Sequence, residues 1–334
     1  MSWWSGRKTG LAALPVEGRL PGFDGATGWL NSAPLGAADL HGKVVLVDFW
    51  TYTCINWLRT LGYLRAWADK YREQGLVVVG VHTPEFPFER DADNVRQAAT
   101  EMRIEYPIAL DPDYEVWSAF SNRYWPAAYF ADAEGRIRHH QFGEGEYEMC
   151  ERVIQQLLRE AGRDDVPGDI VSPPDDGVEA QADWASLESP ETYVGYQQGH
   201  NFASPGGVSS GEPHAYAHPE MLKLNSWALS RTWTVESRAA VLEDVGGAIA
   251  FRFHARDVNL VLRSRSGDAV PFRVTIDGAP PGTAHGLDVD AEGNGTLVQP
   301  RLYQLVRQQG AVADRTFDIT FLETGVEAYV FTFG

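Results

Sequence analysis

Residues 44 to 57 read VVLVDFWTYTCINW, and the rest of the chain is parsed from this stretch. Val44 to Trp50 is almost unbroken apolar sequence, as a strand covered on both faces requires, and it carries one carboxylate, Asp48. From Trp57 the period changes. Trp57, Leu61, Leu64, Ala68 and Tyr71 recur at alternating spacings of four and three, one face of a helix that stops at Gly75. Cys54 therefore falls at a strand-to-helix turn. Unpaired N–H groups at a helix start favour an anion, so a thiol there is disposed to ionise and act as a nucleophile.

Outward from that stretch the pattern alternates between strand and helix. Leu76 to Val81 is a second apolar run, bounded by Gly75 and the Thr83-Pro84 turn, and reads as a parallel neighbour of the first. Asp91 to Ile104 and Asp113 to Phe120 read as helices, with Tyr106 to Leu110 a short strand between them. Tyr129 and Phe130 lead into the turn Asp132-Ala133-Glu134-Gly135, Arg136 to Gln141 returns as a strand, and Tyr147 to Ala161 closes the series as a helix. Such βαβ alternation predicts an α/β sheet. Residues 1 to 43, rich in Gly, Pro and Ala, read as turns and short edge strands.

The segment LVDFWTYTC resembles the active-site stretch of the thioredoxin-like superfamily, roughly V-D-F-W-x-x-W-C-x-x-C, with Asp48 placed as that family's buried aspartate is. More narrowly, VHTPEFPFE (81 to 89) and NRYWPAAYF (122 to 130) resemble DipZ-type thioredoxin-like proteins, relatives of the cytochrome-c biogenesis thiol oxidoreductases. The resemblance covers about residues 20 to 162 and implies a thioredoxin-like α/β domain with Cys54 as its nucleophile. It also implies a cis proline at Pro126, after Trp125, that frees backbone near Cys54 to pair with an extended peptide. Asp48, Tyr52, Thr53, Trp57, Trp125 and Pro126 would then surround the thiol, with His82 and Glu85 bounding the pocket or lying in a solvated loop.

The family's second cysteine would stand at position 57, where this chain has Trp57. A dithiol resolves a mixed disulfide internally; alone, Cys54 must await an external thiol or carry a sulfenic acid. Without that second cysteine, Asp48 reads as a hydrogen-bonded buried polar group rather than a proton carrier. The peroxiredoxin pattern Pro-x-x-x-Thr-x-x-Cys is half met, since Thr51 fits while Val47 occupies the proline position. Cys150 is a candidate resolver at the same end of the sheet, but Glu144, Glu146, Glu148 and Glu151 crowd it and oppose its ionisation.

Between Gly162 and Pro190 the composition shifts to Asp, Pro, Gly and Ser, which predicts a linker draped over the surface. Beyond it the runs 249–255, 258–262, 272–277, 302–307, 317–321 and 328–333 read as strands of a jelly-roll-like β-sandwich of roughly eight strands. SPETYVGYQQGHNFASPGG and EAYVFTFG resemble the C-terminal domain of DipZ-type proteins, which is similar to carbohydrate-binding modules. The expected division is a thioredoxin-like domain over 1–165, a linker over 166–188 and a sandwich over 189–334. Tyr193, Tyr196, Trp227 and Trp233 are candidates for stacking on a sugar if exposed, although most aromatics in a sandwich are core. Residues 288 to 295, DVDAEGNG, read as a polar turn and not a calcium loop.

Composition bounds the function. At 334 residues, with 44% hydrophobic and 12% aromatic content, the chain has material for two cores. Its formal charge of −18 repels phosphate backbones and anionic membranes, so nucleic acid is not an expected partner. Two cysteines cannot form a disulfide scaffold, and no phosphate loop, HExxH, GxSxG or metal set is present, so neither metal nor cofactor is expected. As written, the chain has no secretory h-region or spanning segment, which predicts a soluble cytoplasmic protein; the DipZ-type resemblance implies an extracytoplasmic one if a leader or anchor has been removed. Two functions stay open. One is a thiol oxidoreductase or antioxidant-type protein working through Cys54 on a thiol or disulfide partner. The other is a redox-silent binding protein whose sandwich recognises a glycan or a protein.

Overall fold

The apolar run beginning at Val44 is buried along its whole length in the computed structural model, which describes residues 13 to 334. The first twelve residues, where the leader and part of the N-terminal extension were sought, lie outside the described residues. The chain divides into two units between Asp175 and Asp176.

In chain order the first unit contains β1 (Gly18–Arg19), β2 (Gly28–Leu30), α1 (Ala37–Leu40), β3 (Val44–Trp50), α2 (Ile55–Lys70) and β4 (Leu76–His82). It continues with α3 (Ala92–Glu101), β5 (Ile108–Leu110), α4 (Glu115–Ala119), β6 (Ala127–Ala131), β7 (Arg136–Phe142) and α5 (Tyr147–Glu160). The sheet order is β1-β7-β6-β3-β4-β5-β2, which puts β3 in the middle, parallel to β4 and antiparallel to β6. This is a thioredoxin-like arrangement. Because successive side chains of a strand face opposite ways, Val45, Val47 and Phe49 enter one core with Val116 and Phe120. Asp48 and Trp50 face the other side, where they meet Trp57 of α2. Each large side chain buried in this way contributes roughly 1.5–3 kcal/mol.

Helix ends fall where local chemistry stops them. Asp91 caps α3 by accepting from the Asp93 N–H at 2.8 Å, and Asp111 accepts from the Val116 and Trp117 N–H groups at 3.0 and 2.8 Å, which shortens the expected helix to Glu115–Ala119. Gly75, at φ 95°, turns the chain between α2 and β4, a conformation glycine adopts without strain.

The second unit is all-β, as the alternating runs predicted. Its strands are β8 (Thr192–Tyr193), β9 (His214–Tyr216), β10 (Trp227–Val235), β11 (Ala240–Leu242), β12 (Ala248–Phe253) and β13 (Asp257–Ser264). They are followed by β14 (Val270–Ile276), β15 (Asn294–Leu297), β16 (Arg301–Arg307), β17 (Arg315–Phe321) and β18 (Val326–Phe333). Among the described residues these form one 11-stranded sheet curled around its own core, where about eight strands in a jelly roll were expected. The curl is made by β10. Trp227–Ser230 pair with β12, Trp233–Val235 pair with β11, and between them Arg231 takes φ 71°. Segments expected to form a linker are held down within each unit. Lys70 binds Asp169 and the Val171 N–H binds Glu151 in the first, while Arg307 and Arg256 hold the Gly177 and Gln181 carbonyls in the second.

Candidate functional site

The turn leaving β3 brings Thr51 to Cys54 to the end of the sheet, closed by the Cys54 N–H donating to the Thr51 carbonyl at 3.2 Å. Cys54 is the N-cap of α2, with extended backbone, and its own carbonyl accepts the first helical bond from Leu58 at 2.9 Å. Its thiol is half-exposed and lies 3.9 Å from the Trp125 carbonyl oxygen. The Trp125-Pro126 peptide is cis, as the resemblance implied. Trp125 is fixed by an indole bond to the Thr83 carbonyl at 3.0 Å and by packing on Trp117. Pro126 in turn accepts from the Gly143 N–H, which brings the loop carrying Glu144 beside it. Glu144 pairs with Arg59 of α2 at 3.0 Å, both side chains almost wholly buried, and burial holds the Glu144 carboxyl above its usual range despite the guanidinium.

Beneath the thiol lies a buried aromatic and polar cluster. Trp57 is fully buried, stacks on Trp50 with ring centroids 4.3 Å apart, and donates its Nε1 proton to Asp48 Oδ2 at 2.8 Å. It points into the core. Burial pushes the Asp48 carboxyl up to about 8, with the Trp57 bond opposing. The other oxygen, Oδ1, has no hydrogen-bond partner among the described residues, and neither do Trp50 Nε1, His82 Nε2 and the Tyr106 hydroxyl. Gly80, opposite Asp48 on β4, makes the space. A Cβ there would stand 2.8 Å from Trp50 Nε1 and 3.1 Å from the Tyr106 ring.

His82 is not a solvated rim residue; it is buried, edge-on to Trp50 and stacked on Tyr52, and burial pulls its imidazole down to about 3. Tyr52 is buried as well, and Glu85 is half-buried. The residue that sequence reading missed is Glu89. Wholly buried, it accepts from the Thr53 hydroxyl at 2.6 Å through Oε1 and from the Glu85 and Phe86 N–H groups at 2.7 and 2.8 Å through Oε2. It thereby ties the loop after β4 to the residue next to Cys54. Burial also holds its carboxyl above the usual range. The signal was a glutamate three positions after Phe86 at the start of a short 3-10 turn (Pro87–Arg90), a capping-box spacing.

Cys150 is in the first turn of α5, 2% exposed, and burial followed by the nearby Glu146 charge pushes its thiol up to about 12. It is not bridged to Cys54. The four aromatics proposed for sugar stacking separate sharply. Trp227 and Trp233 are core residues, 1% and 0% exposed, with their indole N–H groups bonded to the His200 and Ser230 carbonyls, so neither offers a ring face. Tyr193 is half-buried and Tyr196 is 48% exposed. In the 288–295 segment Asp288 is occupied by Arg301 and Asp290 by Asn294, and no cluster of metal-ligating side chains exists among the described residues.

A mixed sheet with a half-exposed cysteine opening its first long helix, set against the carbonyl of the residue before a proline, defines a thioredoxin-like thiol protein. Residues 19–140 match the AhpC/TSA family and residues 189–334 match the thioredoxin like C-terminal domain. Protein DipZ of Mycobacterium bovis is 38% identical over 274 residues, which is 81% of this chain and 38% of that protein. The thiol-disulfide oxidoreductase YkuV of Bacillus subtilis is 32% identical over 141 residues, 42% of this chain and 95% of YkuV. Among solved structures, a thioredoxin-like protein in its oxidised form is 32% identical and aligns with a TM-score of 0.40, covering 43% of this chain and 96% of that one. The chain belongs, through its first unit, to the family of thioredoxin-like thiol-disulfide oxidoreductases. It spans well under half the length of the DipZ protein it matches. No helix among the described residues is long and apolar enough to cross a membrane.

Proposed function

We propose that the first unit carries out thiol–disulfide exchange through Cys54 alone, on a partner protein's thiol or disulfide. The observation that supports this is the contrast between two residues three positions apart: Cys54 half-exposed at the start of α2, Trp57 turned inward and bonded to Asp48. The helix start favours the thiolate. That thiolate attacks one sulfur of the partner disulfide, forming a Cys54 mixed disulfide and expelling the other sulfur as a thiolate. With tryptophan at position 57 no neighbouring thiol displaces it, so a second, external thiolate attacks the partner sulfur and returns Cys54 unchanged. Electrons balance, one disulfide being consumed and one formed, and the protein acts as a carrier of a single sulfur bond. Cys150 is a poor internal substitute because it is buried and holds its proton.

The test uses an aromatic disulfide that releases a coloured thiolate. One equivalent per chain should be released from the native protein, the Cys54 adduct should persist until glutathione is added, and Cys54→Ser should release none. Spontaneous loss of the adduct with formation of a Cys54–Cys150 bridge would overturn the single-thiol mechanism. Of the four aromatics considered for a glycan, Tyr196 alone is exposed, and no observation favours that reading.

A further inference from the structure

The second unit carries a cleft of about 330 Å3 on the outer face of its curled sheet, between β12, β17 and β14 and the segment 218–222. Phe317, Ile319 and Phe321 of β17 face the core, so the alternate residue Asp318 faces outward onto the cleft floor. There it is flanked by Ala250 and Thr275 on the adjoining strands. Leu222, packed on Ala250, closes one side, and Met221 is exposed beside it.

Asp318 is central and thinly bonded. Oδ1 accepts from the Thr320 hydroxyl at 3.2 Å, while Oδ2 has His218 Nδ1 at 3.8 Å, beyond hydrogen-bond distance. No lysine or arginine among the described residues pairs with it, because Arg252, the guanidinium that lines the cleft, is bonded to Asp314. Burial holds the Asp318 carboxyl above its usual range, with His218 opposing, and His218 Nε2 is itself buried without a hydrogen-bond partner. A partly desolvated carboxylate gains most from an opposite charge brought to it. Glu220 adds a second negative group to the lining, and Ala250, Leu222 and Met221 offer apolar surface next to it.

We propose that this cleft binds a small organic cation, an ammonium group on a short apolar stem, with the ammonium on Asp318 and the stem along Ala250, Leu222 and Met221. The site is independent of Cys54 and of thiol exchange. His218 competes with the ligand for the same carboxylate oxygen.

Calorimetric titration of the whole chain with n-butylammonium, with n-butanol as its neutral counterpart and glucose as a polyol, tests this. Saturable binding is expected for the ammonium alone. Asp318→Asn should weaken it at least about tenfold, and His218→Ala should tighten it severalfold, a change that no folding defect produces. Absence of saturable binding by the ammonium, equal binding of butanol or glucose, or undiminished affinity in Asp318→Asn would each overturn the proposal. If Asp318→Asn melts below the parent, His218→Ala decides, and unchanged or weaker binding there overturns it.

Discussion

Trp57 donates its indole proton to Asp48 across 2.8 Å, so the first turn of α2 is fastened to the acid behind it. Burial lifts that acid from 3.8 to about 8. Between those values the folded chain keeps a proton that the unfolded chain releases, so the stability this group lends is whole at low pH and is lost as pH rises toward 8. Asp48→Asn keeps an acceptor for Trp57 but cannot ionise. Urea unfolding should show the variant gaining on the parent from about pH 4 upward and levelling off above about pH 8; parallel curves would refute the assignment.

His82, in the same buried cluster, has the opposite slope. Its imidazole is pulled from 6.5 to about 3, so as pH falls through that interval the unfolded chain takes up a proton that the folded chain refuses. Stability is full above pH 6.5 and drains on acidification. His82→Phe should move the acid-unfolding midpoint, followed by circular dichroism, to lower pH. A midpoint that stays put would show that His82 takes no part.

The two cysteines should alkylate on separate clocks. Pulsed iodoacetamide at neutral pH, read by peptide mass spectrometry, is expected to label Cys54 in the native protein and Cys150 only as the chain unfolds, because Cys150 is 2% exposed and its thiol is held near 12. Equal labelling rates would contradict the site.

Glu89→Gln probes the tie between the loop and the active turn. An amide can still accept from Thr53, but its NH2 would then face the Glu85 and Phe86 N–H donors, leaving buried groups unpaired at a cost of about 1–3 kcal/mol. The melting temperature should fall, and the alkylation rate of Cys54 should change with it. A variant that loses stability while Cys54 reacts as before would leave Glu89 a purely structural residue.

In the second unit, Trp233→Ala should cost roughly 3–5 kcal/mol in denaturant unfolding, as removal of a fully buried indole does. A loss below about 1 kcal/mol would be incompatible with its core position.

The first unit was legible because its central strands are buried on both faces: Val44 to Trp50 has no other reading, and the change of period at Trp57 fixes where the helix lies. Cys54 and the proline at 126 followed from that frame. Glu89 did not, since a glutamate after Pro-Phe is ordinarily solvated, and besides the local Glu85 and Phe86 N–H groups it is Thr53, 36 positions away, that engages its other oxygen. His82 was misjudged for a related reason: its burial comes from Tyr52 and Trp50 closing over a strand end. In the second unit the alternating strands were visible. The curl was not read; it is set by a left-handed residue at Arg231, where a charged side chain interrupts the inward series Trp227, Leu229, Trp233 and Val235. The same bend carries both Trp227 and Trp233 into the core.

The strand β10 has a mechanical consequence. Its first half is laced to β12 and its second half to β9 and β11, so one backbone belongs to both walls of the curled sheet. The walls are therefore joined through the β10 backbone on this side, while β15 and β16 are the end strands of the sheet on the other. A cut at Arg231 would not release two smaller domains but two open sheet edges, each a template for aggregation.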